Sequence, residues 1–145
     1  MKLKSMLYVI IVCAVLVPMI SFGQQTEPWR ADQLMEPADL AAILQQPDVA
    51  KPLVISVGPA ALIAQSIDGG EAHEKKNLAK LKALLKKQKK DAQIVIYCGC
   101  CPFKNCPNVR PAFALLNEMN FVNHKLLNLQ TNIRVDWIDK GYPAK

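Results

Sequence analysis

Histidine is nearly absent from the chain, with only His73 and His124 in 145 residues. Both fall in turn-like or surface contexts and neither pairs by position with a cysteine, so each is expected at the surface. No acidic residue interrupts the lysine-rich stretch 75–90. No internal repeat and no long linker divides the chain, which argues for one domain. The apolar run at residues 6–20 is about 15 residues long, where a membrane span needs roughly 20. The net charge of +6 falls short of a nucleic-acid footprint, so no nucleic-acid partner is expected.

The N-terminus has the layout of a secretory signal peptide. Lys2 and Lys4 precede the apolar run, and Ser21-Phe22-Gly23 puts small residues at both positions that a cleavage before Gln24 requires. The expected organisation is a signal peptide at 1–23, a leader with an edge strand at 24–35, and a compact domain at 36–145. An uncleaved N-terminal anchor is the alternative for a run of this length. Cleavage of 23 from 145 residues leaves 122, enough for one core and too few for two. The 18 basic residues lose Lys2 and Lys4, so 16 face 12 acidic ones and the net charge becomes +4. That balance favours small anionic ligands. Export to an oxidising compartment, a bacterial periplasm, is expected, with no stable membrane span after cleavage. Of the 5 cysteines, Cys13 leaves with the peptide. The remaining four form an even count that permits disulfides.

The hydrophobic pattern alternates between strand and helix. Residues 24–29 read as an exposed leader that Trp29 packs onto the domain, and 31–35 as an edge strand. Pro37 opens a helix with a stripe of Leu40, Ile43 and Leu44, ending near Pro47. Leu53-Val54-Ile55-Ser56-Val57 is a buried parallel strand, stopped by Gly58-Pro59. A short helix is expected at 60–64 and a turn at Asp68-Gly69-Gly70. Residues 74–90 predict a helix with Leu78, Leu81, Leu84 and Leu85 on one face and lysines on the rest, read as a solvated outer surface. Ile94-Val95-Ile96-Tyr97 is the next strand. Ala112, Phe113, Leu115, Leu116 and Met119 predict a helix, 125–129 a last strand and 133–140 a final helix with Trp137 as core anchor and Asp136 and Asp139 exposed. The fold class is α/β, three layers with a central, mostly parallel sheet flanked by helices. A monomer is expected.

The informative segment follows the strand that ends at Tyr97. Cys98, Cys100, Cys101 and Cys106 fall within nine residues, and Arg110 lies just beyond them. In a parallel sheet, ligands sit at the carboxyl ends of strands, which nominates Cys98 as nucleophile. Loop amides from Gly99 onward and a helix N-terminus favour a thiolate there. Cys106, four residues before Arg110, is the alternative nucleophile. Arg110 offers a planar fork to an anionic donor, and Lys104 adds positive potential or is simply solvated.

These segments, with Pro37-Ala38-Asp39-Leu40 before them and Trp137-Ile138-Asp139-Lys140-Gly141-Tyr142-Pro143 after them, resemble a single-domain rhodanese over nearly the whole mature chain. The resemblance implies a sulfurtransferase: a cysteine thiolate takes sulfane sulfur from a donor such as thiosulfate, holds it as a persulfide and passes it to a thiol or cyanide. On that reading Cys98 and Arg110 are catalytic. Gly99, Cys100, Cys101, Lys104 and Arg110 bind the substrate. The partners are a small anionic sulfur donor and a thiol acceptor. No cofactor is expected, and no residue is assigned to a metal. The chain departs from the family in three places. Ser56-Val57-Gly58 replaces the usual Asp-Val-Arg. About seven extra residues separate the cysteine from the arginine. Gln130-Thr131-Asn132 stands where a glycine pair is usual.

Other readings of the cluster remain open. Cys98-Gly99-Cys100-Cys101 contains a C-x-x-C, the spacing of thiol/disulfide redox motifs, and Cys100, Cys101 or Cys106 could resolve a persulfide as a disulfide. The same thiols could bind a thiophilic ion. Cys100 or Cys101 could also staple the loop to Cys106 and leave Cys98 free.

Overall fold

The computed structural model describes residues 26–145. The signal-peptide expectation and the first two leader residues lie outside this range. Within it, the chain is a three-layer α/β domain. Strands β1 (Leu34–Met35), β2 (Leu53–Ser56), β3 (Ile67–Asp68), β4 (Ile94–Tyr97) and β5 (His124–Leu127) form one parallel sheet in the order β1-β5-β4-β2-β3. The helices are α1 (Pro37–Gln45), α2 (Lys75–Leu85) and α3 (Val109–Glu118), and a π-helical turn spans Arg134–Ile138.

Strand β4 lies between β5 and β2, paired as Ile94↔His124 and Leu53↔Ile94. All four of its residues are buried, which is why it reads as an unbroken apolar run. Alternate side chains serve opposite faces. Ile94 and Ile96 pack with Leu81 and Leu85 of α2 and with Phe113 and Leu116 of α3. Val95 and Tyr97 pack with Leu40 and Leu44 of α1 and with Trp137. Truncating a fully buried aromatic here, Trp137→Ala for example, costs about 3–5 kcal/mol. Cys98 continues the alternation and belongs to the α2/α3 face.

Several expectations need correction. Residues 60–64 are not helical. Ile63 donates its N–H to the Tyr97 hydroxyl at 3.2 Å and bridges Ala144, and Gln65 adopts φ 63°, which breaks a helix. The chain then adds the short strand β3, too polar at Asp68 to read as one. The α2 helix stops at Leu85 rather than at residue 90. Beyond Leu85 no apolar residue holds Lys86-Lys87-Gln88-Lys89-Lys90 to the core, and the crowded like charges give no local support. The last helix is a single π-helical turn, and Asp136 within it accepts the Thr131 N–H at 2.6 Å. Residues 31–33 form a 3₁₀ turn before β1. Trp29 packs the leader onto the domain as expected, buried against Phe103 and Phe113 with ring centroids 5.7 and 5.8 Å away. His124 is a core residue, 4% exposed, bonded to Asn117 Oδ1 at 2.9 Å and stacked near Phe113. Burial lowers its pKa.

Candidate functional site

The site begins where β4 ends. Val57 N–H donates to the Tyr97 carbonyl at 2.8 Å, so the carboxyl ends of β2 and β4 stay side by side and Gly58 faces Cys98. The approach is close: a Cβ on Gly58 would stand 2.6 Å from Cys98 Sγ. Only glycine leaves room for the sulfur.

Beyond Cys98 the enlarged loop is pinned at two places. The Gly99 carbonyl accepts the Ile133 N–H at 3.0 Å, and Phe103 N–H donates to the Leu129 carbonyl at 3.0 Å. Phe103 is fully buried and starts a 3₁₀ turn, Phe103–Asn105, that delivers Cys106 into the core. Asn108 then sits at the N-cap of α3.

This path gathers the sulfurs. The Sγ atoms of Cys98, Cys100 and Cys106 lie within 4.8 Å of one another. Cys98 and Cys100 are 3.3 Å apart, and Cys100 and Cys101 3.2 Å. All four are free thiols. Cys98 and Cys106 are buried, Cys101 is half-buried, and Cys100 is exposed. Three sulfurs at this spacing are a donor set that a soft cation such as Cu(I) takes.

Cys98 is the thiol prepared to carry charge. The nearby Cys106 thiol favours its charged form, opposed by burial, and the Cys100 backbone amide, the Asn108 side-chain amide and the Cys100 thiol act in the same sense as Cys106. Together they hold Cys98 down at about 5 against an ordinary 9.0. Cys106 is pushed up, because its proton is held by Cys98 and its own ionisation would be buried. Burial, with bonds to Cys101 and Cys98, pushes Cys100 up to about 12. The cluster therefore carries one negative charge, centred on Cys98.

Two residues in this site carry no motif. Asn108, 3% exposed, turns its Nδ2 toward Cys98 Sγ at 3.6 Å. Its Oδ1 accepts the His73 backbone N–H at 3.0 Å and the His73 ring Nδ1–H at 2.7 Å. His73 is solvent-exposed as expected, yet it fixes which way the Asn108 amide faces. The sequence reading missed both; an Asn just before the apolar helical pattern of α3 is the signal that could have found Asn108, and His73 carries none. Gly58 was readable only as a strand stop.

The expected anion holders have other partners. Arg110 donates to Glu27 Oε1 at 3.2 Å and to the Lys104 carbonyl at 3.3 Å, and its guanidinium lies 5.2 Å from the Trp29 ring centroid. Lys104 is exposed, with its ammonium 5.9 Å from the Phe103 ring centroid. Of the expected loop amides, that of Cys100 reaches Cys98, while Gly99 packs on Ile133, where a Cβ would meet the side chain at 2.8 Å. No protein-family model matches the chain, and no curated protein matches it.

Proposed function

We propose that the protein is a rhodanese-like sulfurtransferase whose Cys98 carries sulfane sulfur as a persulfide. One observation carries the reading: at the end of the central strand, Cys98 Sγ lies 3.6 Å from the Asn108 amide nitrogen and 3.3 Å from Cys100 Sγ, with Cys106 Sγ within 4.8 Å. Such a donor set stabilises a thiolate nucleophile, and it equally stabilises a persulfide anion at the same position. The Cys98 thiolate attacks the outer sulfur of thiosulfate, the sulfur–sulfur bond of the donor breaks, and sulfite leaves with the bonding pair. A thiol or cyanide acceptor then removes the outer sulfur and restores the thiolate.

Arg110 holds the donor's anion. Its present partner, Glu27, is itself partly exposed, so an incoming anion displaces a weak surface ion pair. The N-terminal segment supports export, which places the reaction in an oxidising compartment.

The test is to incubate fully reduced mature protein with thiosulfate and to measure intact mass, then map the adduct. Gain of one sulfur atom on Cys98 is the expected result. Stoichiometric copper or zinc after native purification, with no sulfur adduct in any variant, sinks the proposal. An adduct that survives Cys98→Ser but is lost in Cys106→Ser assigns the nucleophile to Cys106 instead.

A further inference from the structure

The Cys98 sulfur is buried, 1% exposed, and walled by Gly58. Its neighbour Cys100 is exposed, with Sγ 3.3 Å away. A sulfur this close competes for a persulfide with an effective concentration that no dissolved thiol reaches. Cys106 is also near but buried, so a disulfide to it would be closed to any reductant. Cys100 alone combines contact with Cys98 and access to solvent.

Building on the sulfurtransferase reading, we propose that Cys100 resolves the Cys98 persulfide internally, releasing hydrosulfide and leaving a Cys98–Cys100 disulfide that an external dithiol must reduce. The Cys100 sulfur attacks Cys98 Sγ, and a new sulfur–sulfur bond forms between them. The bond from Cys98 to the outer sulfur breaks, and the outer sulfur leaves with the bonding pair. The Cys100 thiol proton goes to that outer sulfur, so a persulfide anion and a thiol become a disulfide and a hydrosulfide ion. The sulfane sulfur is reduced and the two cysteines are oxidised, which balances the step. A dithiol then attacks at the exposed Cys100 end by thiol–disulfide exchange and returns both cysteines to thiols.

This gives the chain a second activity. With a dithiol present it acts as a thiosulfate reductase that releases hydrosulfide, and without one it stops after a single turnover. Closing the bond requires the two sulfurs to move from 3.3 Å to about 2 Å.

The experiment uses reduced mature protein freed of reductant and mixed with thiosulfate, with no acceptor added. Wild type is expected to gain one sulfur transiently, then to release one equivalent of hydrosulfide and lose the mass of two hydrogens, with the disulfide mapped to Cys98 and Cys100. Cys100→Ser, an isosteric change at an exposed position, is expected to keep the sulfur on Cys98 and to cut hydrosulfide release at least tenfold. Val122→Ser, at an exposed position outside the site, is expected to release it as wild type does. A stable adduct in wild type with no hydrosulfide, or equal release from Cys100→Ser, overturns the internal resolution and leaves sulfur transfer standing. No adduct and no hydrosulfide in any of the three proteins overturns the sulfurtransferase reading and this step with it.

Discussion

Asn108 holds its amide nitrogen 3.6 Å from Cys98 Sγ because His73 occupies the amide oxygen with two donors, at 3.0 and 2.7 Å. A side-chain amide anchored at one end has a fixed dipole at the other, and here the positive end faces the thiolate. A hydrogen bond to a charged group contributes roughly 1.5–3 kcal/mol, with a long bond to sulfur near or below the low end. Asn108→Ala should therefore raise the apparent pKa of Cys98 by about one unit. Asn108→Asp should raise it further, since a carboxylate repels the thiolate. His73→Ala should act in the same direction but less, because the backbone N–H remains. The measurement is the rate of Cys98 alkylation by iodoacetamide against pH. An unchanged profile in Asn108→Ala would show that the amide does not support the charge.

The pH dependence of the wild type follows from the cluster's single charge. Cys98 sits at about 5, so its thiolate is lost as pH falls through that value and complete at neutral pH. Alkylation of Cys98 should be flat above about pH 6, one unit past the midpoint, where an ordinary cysteine is still climbing at pH 8. The Cys106 thiol is the largest cause of the depression. Cys106→Ala should thus move the midpoint up further than Asn108→Ala does. A midpoint unmoved in Cys106→Ala would assign the depression to the loop amide and Asn108 alone.

Much of this site was legible because strand β4 obeys a simple rule. Four apolar residues buried on both faces announce a central parallel strand, and the next residue, Cys98, must emerge at its carboxyl end. The thiol cluster was visible as spacing, since a loop so short cannot separate its cysteines widely. What failed to show was everything set by the third dimension. Gly58 approaches Cys98 from another strand, 40 positions earlier in the chain. His73 meets Asn108 across 35 residues and carries no local signature. The partner of Arg110 is Glu27, 83 residues away, and its guanidinium also lies over Trp29, two contacts that sequence order does not show. The helix at 60–64 failed for the same reason: the hydroxyl of Tyr97 and the strand-like bridge to Ala144 capture that backbone, and local propensity could not anticipate either.

Gly58 gives the sharpest steric forecast. An added Cβ at this position would stand 2.6 Å from Cys98 Sγ. Gly58→Ala must push the sulfur or the β2–β3 connection aside, and overpacking of this kind costs about 1–3 kcal/mol. The melting temperature should fall by several degrees. Alkylation of Cys98 at neutral pH should slow as well, because the displaced sulfur loses its alignment with Asn108 and Cys106. Thermal melts alongside alkylation rates separate the two effects. Wild-type values for both would mean that the loop yields without cost.

Arg110 and Glu27 make opposite predictions for donor binding. If the guanidinium receives thiosulfate, Glu27 competes with the donor for it. Glu27→Gln should then lower the KM for thiosulfate by a few-fold and leave kcat nearly unchanged, since an exposed ion pair is worth about 1 kcal/mol or less. Arg110→Ala should raise KM by about tenfold or more, because a charge-assisted bidentate contact to an anion is lost. Arg110→Lys should recover part of the charge but not the fork. Arg110 also covers Trp29, so its removal has a structural component of about 0.5–1 kcal/mol from the cation–π contact. Melting curves measure that component separately. If Glu27→Gln and Arg110→Ala change only the melting temperature and not KM, Arg110 serves to fasten the N-terminal segment to α3, and the donor's anion is held elsewhere on the loop.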